Sequence, residues 1–178
     1  MDIFSLKVEK EYFHISSNLD KNNTSFIYGE VCCKNLSEIL LELELNDRLF
    51  LDIGSGCGKI VLYLAIKLNM NSEGIEIDKN RFDKSIEFLN KLNLLDNVTF
   101  YNESFKKVYL GNYDVIYCCN LVFSDEDNKI LYKKIIKEFK GISILFDYDD
   151  VLSRFLIKKY NVKTSWSKYQ IVYIFNIF

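Results

Sequence analysis

The chain has 178 residues, of which 49% are hydrophobic and 15% aromatic, and its net charge at pH 7 is −2. This composition excludes a disordered chain, and the length fits one domain with a full core. The small charge predicts no strong attraction to nucleic acid or to anionic membranes. There is no apolar run long enough to span a bilayer and no visible signal pattern, so we expect an intracellular, cytoplasmic protein.

The five cysteines and the single histidine carry no metal-site pattern. The cysteines form two vicinal pairs with one further residue in a glycine-rich turn, and they lack Cys-x-x-Cys spacing. This pattern fits a reducing compartment, is typical of small buried residues, and argues against a disulfide framework or a zinc site. The residues are Cys32, Cys33, Cys57, Cys118, Cys119 and His14.

In chain order, residues 1–25 are expected to form an amino-terminal arm, and residues 26–178 the folded domain. The domain opens with Tyr28-Gly29-Glu30, which precedes a helix whose apolar residues recur at helical spacing from Leu36 to Leu43. A loop at this position can fold over a ligand bound by the strands that follow. These three residues alone are also consistent with an ordinary turn.

The next segment predicts half of a doubly wound nucleotide-binding fold. A short apolar run, 49–53, suits a buried parallel strand, and Gly54, Gly56 and Gly58 follow it at alternate positions. A helix over 61–68 leads to a second strand, 74–77, which carries Glu76 at its carboxyl end. Ligands of such folds lie across these strand ends, where an acidic side chain can bind a ribose.

Two nucleotide classes compete for this turn. Dinucleotide binders need Gly-x-Gly-x-x-Gly, but here Lys59 stands where the third glycine would be. The Asp52 carboxylate would repel a diphosphate and attract an ammonium group. Asp52 with the three glycines resembles the first motif of the class I S-adenosylmethionine-dependent methyltransferases, whose cofactor carries an amino-acid end. The cofactor implied is S-adenosyl-L-methionine, with Lys59 among the residues near it.

The remaining elements alternate as a doubly wound sheet requires. We expect Ser104 and Phe105, after the third strand, to contact the adenine. The predicted elements are a helix over 80–93, strands over 97–101 and 114–119, a helix from residue 125, a strand over 142–146, a helix over 151–159, and strands over 161–165 and 170–178. The prediction is therefore an α/β fold with a mostly parallel seven-stranded sheet, helices on both faces and an antiparallel last strand.

Five separated pieces together resemble the disruptor-of-telomeric-silencing (Dot-one) lysine methyltransferases, which methylate histones on a class I fold. They are Tyr28-Gly29-Glu30, the turn from Asp52 to Gly58, Glu76, Asn120-Leu121-Val122-Phe123, and Ser165-Trp166-Ser167 with Tyr173. The resemblance covers about residues 26–178. It departs from the family at Leu121, Val122, Ser167 and Ile174, and at Ser104, where an acid is usual.

The resemblance implies a role for each of these residues. Tyr28, Glu30, Asp52, Glu76 and Asn120 would hold the cofactor, and Asn120, Phe123, Trp166 and Tyr173 would line a narrow channel for a lysine side chain. An apolar channel lowers the pKa of the lysine amine, and the Asn120 oxygen could orient its nitrogen. The implied partner is a protein that presents a lysine, such as a histone, and a histone substrate would place the enzyme in the nucleus.

Other functions stay open at this stage. The Asn120–Phe123 loop also loosely resembles the Asn-Pro-Pro-Phe loop of enzymes that methylate exocyclic amines of nucleobases. Methylation of a small molecule is a further alternative, and so is a non-catalytic module that binds the cofactor or only keeps the fold. No basic tail that could grip DNA is visible in the sequence.

Overall fold

The computed structural model describes residues 31–92 and 96–178 and contains one seven-stranded sheet. The strand order is β3-β2-β1-β4-β5-β7-β6, with β7 antiparallel to both of its neighbours and β1 to β5 parallel. The predicted sheet and its antiparallel last strand are therefore confirmed. The strands are β1 (Phe50–Ile53), β2 (Ser72–Ile75), β3 (Val98–Tyr101), β4 (Val115–Cys118), β5 (Gly141–Leu145), β6 (Leu156–Val162) and β7 (Gln170–Ile177).

Helices cover both faces of this sheet. Phe50 of β1 packs into a core with the first two helices, whereas its neighbour Leu51 packs into a core on the other face with the fourth helix. This alternation follows from the period of two along a strand. The helices are α1 (Cys33–Glu42), α2 (Lys59–Leu68), α3 (Lys79–Leu92), α4 (Asp125–Glu138) and α5 (Asp150–Ser153).

Gly58 is the residue that lets α2 approach the sheet. It caps α2 in the left-handed conformation, with φ +81°, which glycine adopts without strain. A β-carbon at this position would lie only 2.4 Å from the Phe100 ring of β3 and 3.0 Å from Ser85 of α3. The third glycine of the turn is thus required by packing.

One predicted helix is wrong. The sequence indicated a helix over 151–159, but α5 contains only four residues and β6 begins at Leu156. The predicted strand over 161–165 is likewise displaced toward the amino terminus. Among the strands in the described part of the chain, β6 lies at the edge of the sheet and pairs with β7 alone, and its register shifts between Leu156 and Lys158. This bulge breaks the alternation that would have marked a strand.

Some predictions fall outside the described residues. These are the amino-terminal arm, His14 and the Tyr28–Glu30 loop. None of the helices in the described part of the chain has the length and apolar character needed to cross a membrane.

Candidate active site

A cavity of about 440 Å³ opens at the carboxyl ends of β1, β2, β3 and β4. This is where doubly wound sheets bind ligands, and the volume suits a nucleotide-sized molecule. It is lined by Ile53, Gly54, Ile75, Glu76, Ile77, Arg81, Glu103, Ser104, Phe105, Lys106, Cys119, Leu121, Val122, Phe123, Asp127, Ser165 and Trp166.

Glu76 is fixed at the base of the cavity by two backbone groups. The Gly56 amide donates to one carboxylate oxygen and the Asp78 amide donates to the other, each at 2.8 Å. The side chain is only 5% exposed and lines the cavity. A carboxylate oxygen has more than one acceptor site, so both oxygens can still accept hydrogen bonds from ligand hydroxyl groups.

Asp78 has a different role from Glu76. Its Oδ1 accepts a hydrogen bond of 2.9 Å from the amide of Arg81, in the first turn of α3. A short polar side chain in this position satisfies an amide that has no partner within the helix.

Asp52 lies one residue before the cavity wall. It is a buried residue of β1, and the cavity is lined by Ile53 and Gly54 that follow it. Burial raises the pKa of Asp52 well above its usual value, and the nearby charge of Glu76 raises it further. A carboxyl group in this situation gains from a cation, since a positive charge would offset both effects.

Two aromatic rings meet at one side of the cavity. Phe105 and Phe123 stack with ring centroids 5.6 Å apart and an interplanar angle of 21°. The Phe123 ring also faces Gly54, where a β-carbon would lie 3.8 Å from it. The stack joins the loop after β3 to the loop after β4. It gives the cavity a flat apolar wall suited to a base.

Ser104 and Ile77 complete the end of the cavity where we predicted adenine. The Ser104 hydroxyl accepts a hydrogen bond from the Lys106 amide at 3.3 Å. Ile77 directly follows Glu76 and is strongly exposed for a residue of its size. Ile77 was not among the predicted site residues. Its position directly after Glu76, the acid that we expected to bind a ribose, was a local signal that could have identified Ile77.

An ion pair crosses the rim of the cavity. Lys106 Nζ lies 2.6 Å from Asp127 Oδ1, which connects the loop after β3 to the start of α4. The Asp127 side chain raises the pKa of Lys106, and Lys106 in turn lowers the pKa of Asp127. The sequence held no signal for this pair because the two residues are distant along the chain.

The side of the cavity where we predicted a channel for the acceptor is apolar and open to solvent. Leu121, Val122 and Phe123 form one wall, and Trp166 from the segment between β6 and β7 contributes another part. Trp166 is 44% exposed, and its indole N–H donates to Gln170 Oε1 at 3.3 Å. The structure therefore brings Phe123 and Trp166 together at one cavity.

The structure contradicts the orientation predicted for Asn120. Its side chain is fully buried, and its Oδ1 already accepts hydrogen bonds from the backbone amides of Phe146 and Asp147, at 3.1 and 3.0 Å. Its Nδ2 lies within 3.0 Å of acceptors on Asn128, Tyr132 and Asp147. Asn120 thus joins the ends of β4 and β5 to α4, and its amide is not directed into the cavity.

Tyr173, Lys59 and Gly58 are three further predicted residues, and they lie away from the cavity lining. Tyr173, on β7, packs edge-to-face against Tyr148 at 4.7 Å in the core on the α4 side. Lys59 is the first residue of α2, and Gly58 caps that helix. In each case the position follows from packing of a regular element against its neighbour.

Cys119 is a cavity residue that we assigned only to the core. Burial raises the pKa of its thiol to about 12, with a further contribution from Asp52. The reactive form of cysteine is the thiolate, so this thiol stays protonated and weakly nucleophilic.

The family model described as "Histone methylation protein DOT1" matches residues 16–174. The chain belongs to this family. A curated relative of this DOT1-family chain, the "Histone-lysine N-methyltransferase, H3 lysine-79 specific" of Gibberella zeae, is 34% identical over 62 residues. That match covers 34% of this chain and 13% of the relative.

Solved structures share the fold of this DOT1-family chain. An RNA methyltransferase from Salinibacter ruber, in complex with S-adenosyl-L-homocysteine, has a TM-score of 0.66 and 20% identity, over 81% of this chain and 91% of that one. Magnesium protoporphyrin IX methyltransferase from Synechocystis, with bound S-adenosylmethionine, has a TM-score of 0.67 and 14% identity, over 81% and 77%.

Proposed function

We propose that this protein transfers a methyl group from S-adenosylmethionine to a lysine side chain of another protein. The observation that carries the proposal is the position of Glu76, held by two backbone amides inside a cavity at the ends of β1 and β2. Membership in the DOT1 family supports the same reaction.

The cavity fits the cofactor in three respects. Glu76 can accept hydrogen bonds from a ribose, and the Phe105 and Phe123 rings provide a wall for adenine. Gly54, with φ +80°, has no side chain between the strand end and the ligand. The Asp52 carboxyl group, whose pKa is raised in the protein alone, is the natural partner of the ammonium group of the cofactor.

The bound cofactor supplies a methyl group that its sulfonium makes electrophilic. The protein then has to align the acceptor amine and exclude water from it. Phe123 and Trp166 provide an aromatic wall that guides a cation toward the cavity. An acceptor that covers this open side would exclude water from the amine and thereby disfavour its charged form. An amine that loses its proton in this way needs no dedicated general base.

A histone is the acceptor suggested by the relative from Gibberella zeae, whose name specifies lysine 79 of histone H3. The match covers a small part of that protein, so the acceptor is part of our proposal. A histone acceptor would place this protein in the nucleus.

The first test measures cofactor binding by isothermal titration. Glu76→Gln should lower the affinity for S-adenosylmethionine by about tenfold or more, because neutral amide groups bind hydroxyl groups less strongly than a carboxylate does. Glu87→Gln is the matched control, since Glu87 lies on the surface of α3 and pairs with Lys84 and Lys91. Equal affinities of the two variants would contradict our cofactor site.

The second test follows radiolabelled methyl groups into core histones, nucleosomes and nucleic acid. Acid hydrolysis should release methyl-lysine, whereas label found only in methylated bases would refute the lysine acceptor. Trp166→Ala should lower transfer while leaving the cofactor affinity within about twofold, because Trp166 lies on the acceptor side of the cavity. Tyr109→Ala, an exposed aromatic residue outside the cavity, is the control.

A further inference from the structure

The charges of this chain are divided unevenly along its sequence. All 25 acidic side chains lie within residues 1–150, and residues 151–178 carry five basic side chains and no acidic one. The basic segment contains β6 and β7. The small net charge of the molecule therefore averages over a basic hairpin and a more acidic remainder.

Three of the five basic side chains are available for a partner. Lys158 is already paired with Glu42 of α1, and Arg154 lies over the ring of Phe155. Lys159, Lys163 and Lys168 are exposed, and among the described residues none of the three makes an ion pair. Lys159 Nζ lies over the ring of Tyr173, 5.4 Å from its centroid.

Among the described residues, part of this face of the sheet is left exposed. Lys159 is in register with Tyr173, and Asn161 with Ile171, so the four residues share one face. Tyr173 packs against the core on the α4 side, whereas Ile171 is substantially exposed. Tyr169 is 79% exposed in the segment before β7. We call Lys159, Asn161, Lys163, Lys168, Tyr169 and Ile171 the hairpin surface.

The hairpin surface adjoins the candidate active site. Ser165 and Trp166 lie between Lys163 and Lys168 in the sequence, and both line the cavity. A molecule bound to the hairpin surface would therefore lie beside the entrance for the methyl acceptor.

We propose that the hairpin surface binds the phosphate backbone of nucleic acid. Lysine ammonium groups act as point charges for phosphates, and an exposed aromatic ring beside them can stack on a base. These three lysines would repel a basic protein and attract an anion, so the charge of this surface favours an anionic partner. The exposed Tyr169 ring directly follows Lys168, which favours a nucleic acid, because a base can stack on the ring while a neighbouring phosphate meets the ammonium group.

The test measures the binding of a fluorescent single-stranded oligonucleotide of mixed sequence by anisotropy. Wild type should bind weakly, and the logarithm of its affinity should fall with the logarithm of salt concentration with a slope of about −2 for three phosphate contacts. The triple variant Lys159→Gln, Lys163→Gln, Lys168→Gln should lose about tenfold or more in affinity at about 50 mM salt, with a slope near zero.

The matched control is Lys133→Gln, Lys137→Gln, Lys140→Gln, which removes the same charge from exposed lysines in and just after α4. It should bind the oligonucleotide like the wild type. Equal losses in the two triple variants would show attraction to overall charge and would overturn the proposal. Binding of poly-L-glutamate as tight as that of the oligonucleotide would assign the surface to an acidic protein instead.

This proposal can fail independently of the proposed methyl transfer. The hairpin variant should keep the wild-type affinity for S-adenosylmethionine, because none of its three lysines lines the cavity. Loss of cofactor binding in that variant would reveal a disturbed fold and would refute our description of the surface. Glu76→Gln should conversely keep oligonucleotide binding.

Discussion

Asp52 and Glu76 are two buried carboxyl groups, and burial together with the charge of Glu76 raises the pKa of Asp52. Glu76 accepts hydrogen bonds from two backbone amides, which offset part of the cost of burying its charge. Asp52 is held in a protein environment that disfavours its ionised form. A cation bound beside this pair would stabilise the ionised form of Asp52 and thereby the folded protein.

Asp52→Asn should stabilise the protein in the absence of cofactor. The pKa of Asp52 is higher in the folded state than in the unfolded state, where it is roughly 3.9. The contribution of protonated Asp52 to the free energy of unfolding is therefore complete below the unfolded-state pKa and is lost as pH rises through the folded-state pKa. Asparagine does not titrate, so the Tm difference between variant and wild type should grow with pH in thermal melts.

The same variant should bind S-adenosylmethionine more weakly, because the cofactor ammonium group loses its carboxylate partner. Asp83→Asn is the matched control, since it removes a carboxylate from the surface of α3, where Asp83 pairs with Lys79. Asp83→Asn should change neither the pH profile nor the affinity. An Asp52→Asn protein that melts lower than wild type at neutral pH would contradict the assigned cause of the pKa shift.

Asn120→Ala should lower the free energy of unfolding by about 3 kcal/mol, because several buried groups lose their partner at once. For a chain of this size we expect Tm to fall by roughly 6–12 °C. Tyr132→Phe, which removes one of these bonds, should cost about 1 kcal/mol. Wild-type stability of Asn120→Ala in urea unfolding would show that the side chain is not buried as described.

At the scale of elements, the glycine turn allows the cost of backbone strain to be separated from the cost of overpacking. Gly54 and Gly58 have nearly the same φ, +80° and +81°. A β-carbon at Gly58 would lie 2.4 Å from the Phe100 ring, whereas a β-carbon at Gly54 would lie 3.8 Å from the Phe123 ring. Gly54→Ala should therefore cost about 1–2 kcal/mol of backbone strain, whereas Gly58→Ala should cost about 1–3 kcal/mol more through overpacking.

Urea unfolding of both variants checks this difference. Phe100→Leu should recover part of the loss in Gly58→Ala and none of it in Gly54→Ala, because the smaller side chain relieves only the clash at Gly58. Equal losses in the two glycine variants would mean that α2 does not depend on Gly58 for its approach to the sheet.

Strands with a neighbouring strand on both sides were easier to predict from the sequence than the strand at the edge of the sheet. β1, buried on both faces between β2 and β4, produced a continuous apolar run that identified it directly. β6 has one neighbour and a bulge, so its residues show neither a strand period nor a buried run. Its lysines and apolar residues matched a helical spacing instead.

The site was predictable to the extent that its residues act through local sequence. Glu76 and Gly54 belong to turns whose conformation is fixed within a few residues, and both line the cavity. The position of Asn120 depends on Asn128, Tyr132 and the backbone after β5, which only the folded chain brings together. A resemblance in sequence could not show which groups its amide would contact.

For the whole molecule, cofactor binding should raise thermal stability. A ligand that binds only the folded state adds about 2.7 kcal/mol at a concentration of 100 times its Kd, which corresponds to roughly 5–10 °C in Tm. Glu76→Gln should show a much smaller shift at the same concentration, and Glu87→Gln the full shift. Thermal shift measurements over a concentration series check this expectation, and a full shift in Glu76→Gln would contradict it.

The position of β7 has a consequence for synthesis of the protein. β7 is the last strand of the sheet in the sequence, yet it lies between β5 and β6, with Ile174 and Phe175 fully buried. Until the ribosome has released this strand, the nascent chain exposes the apolar edge of β5 and β6 has no neighbour to pair with. The nascent protein should therefore remain prone to misassembly until β7 has emerged from the ribosome.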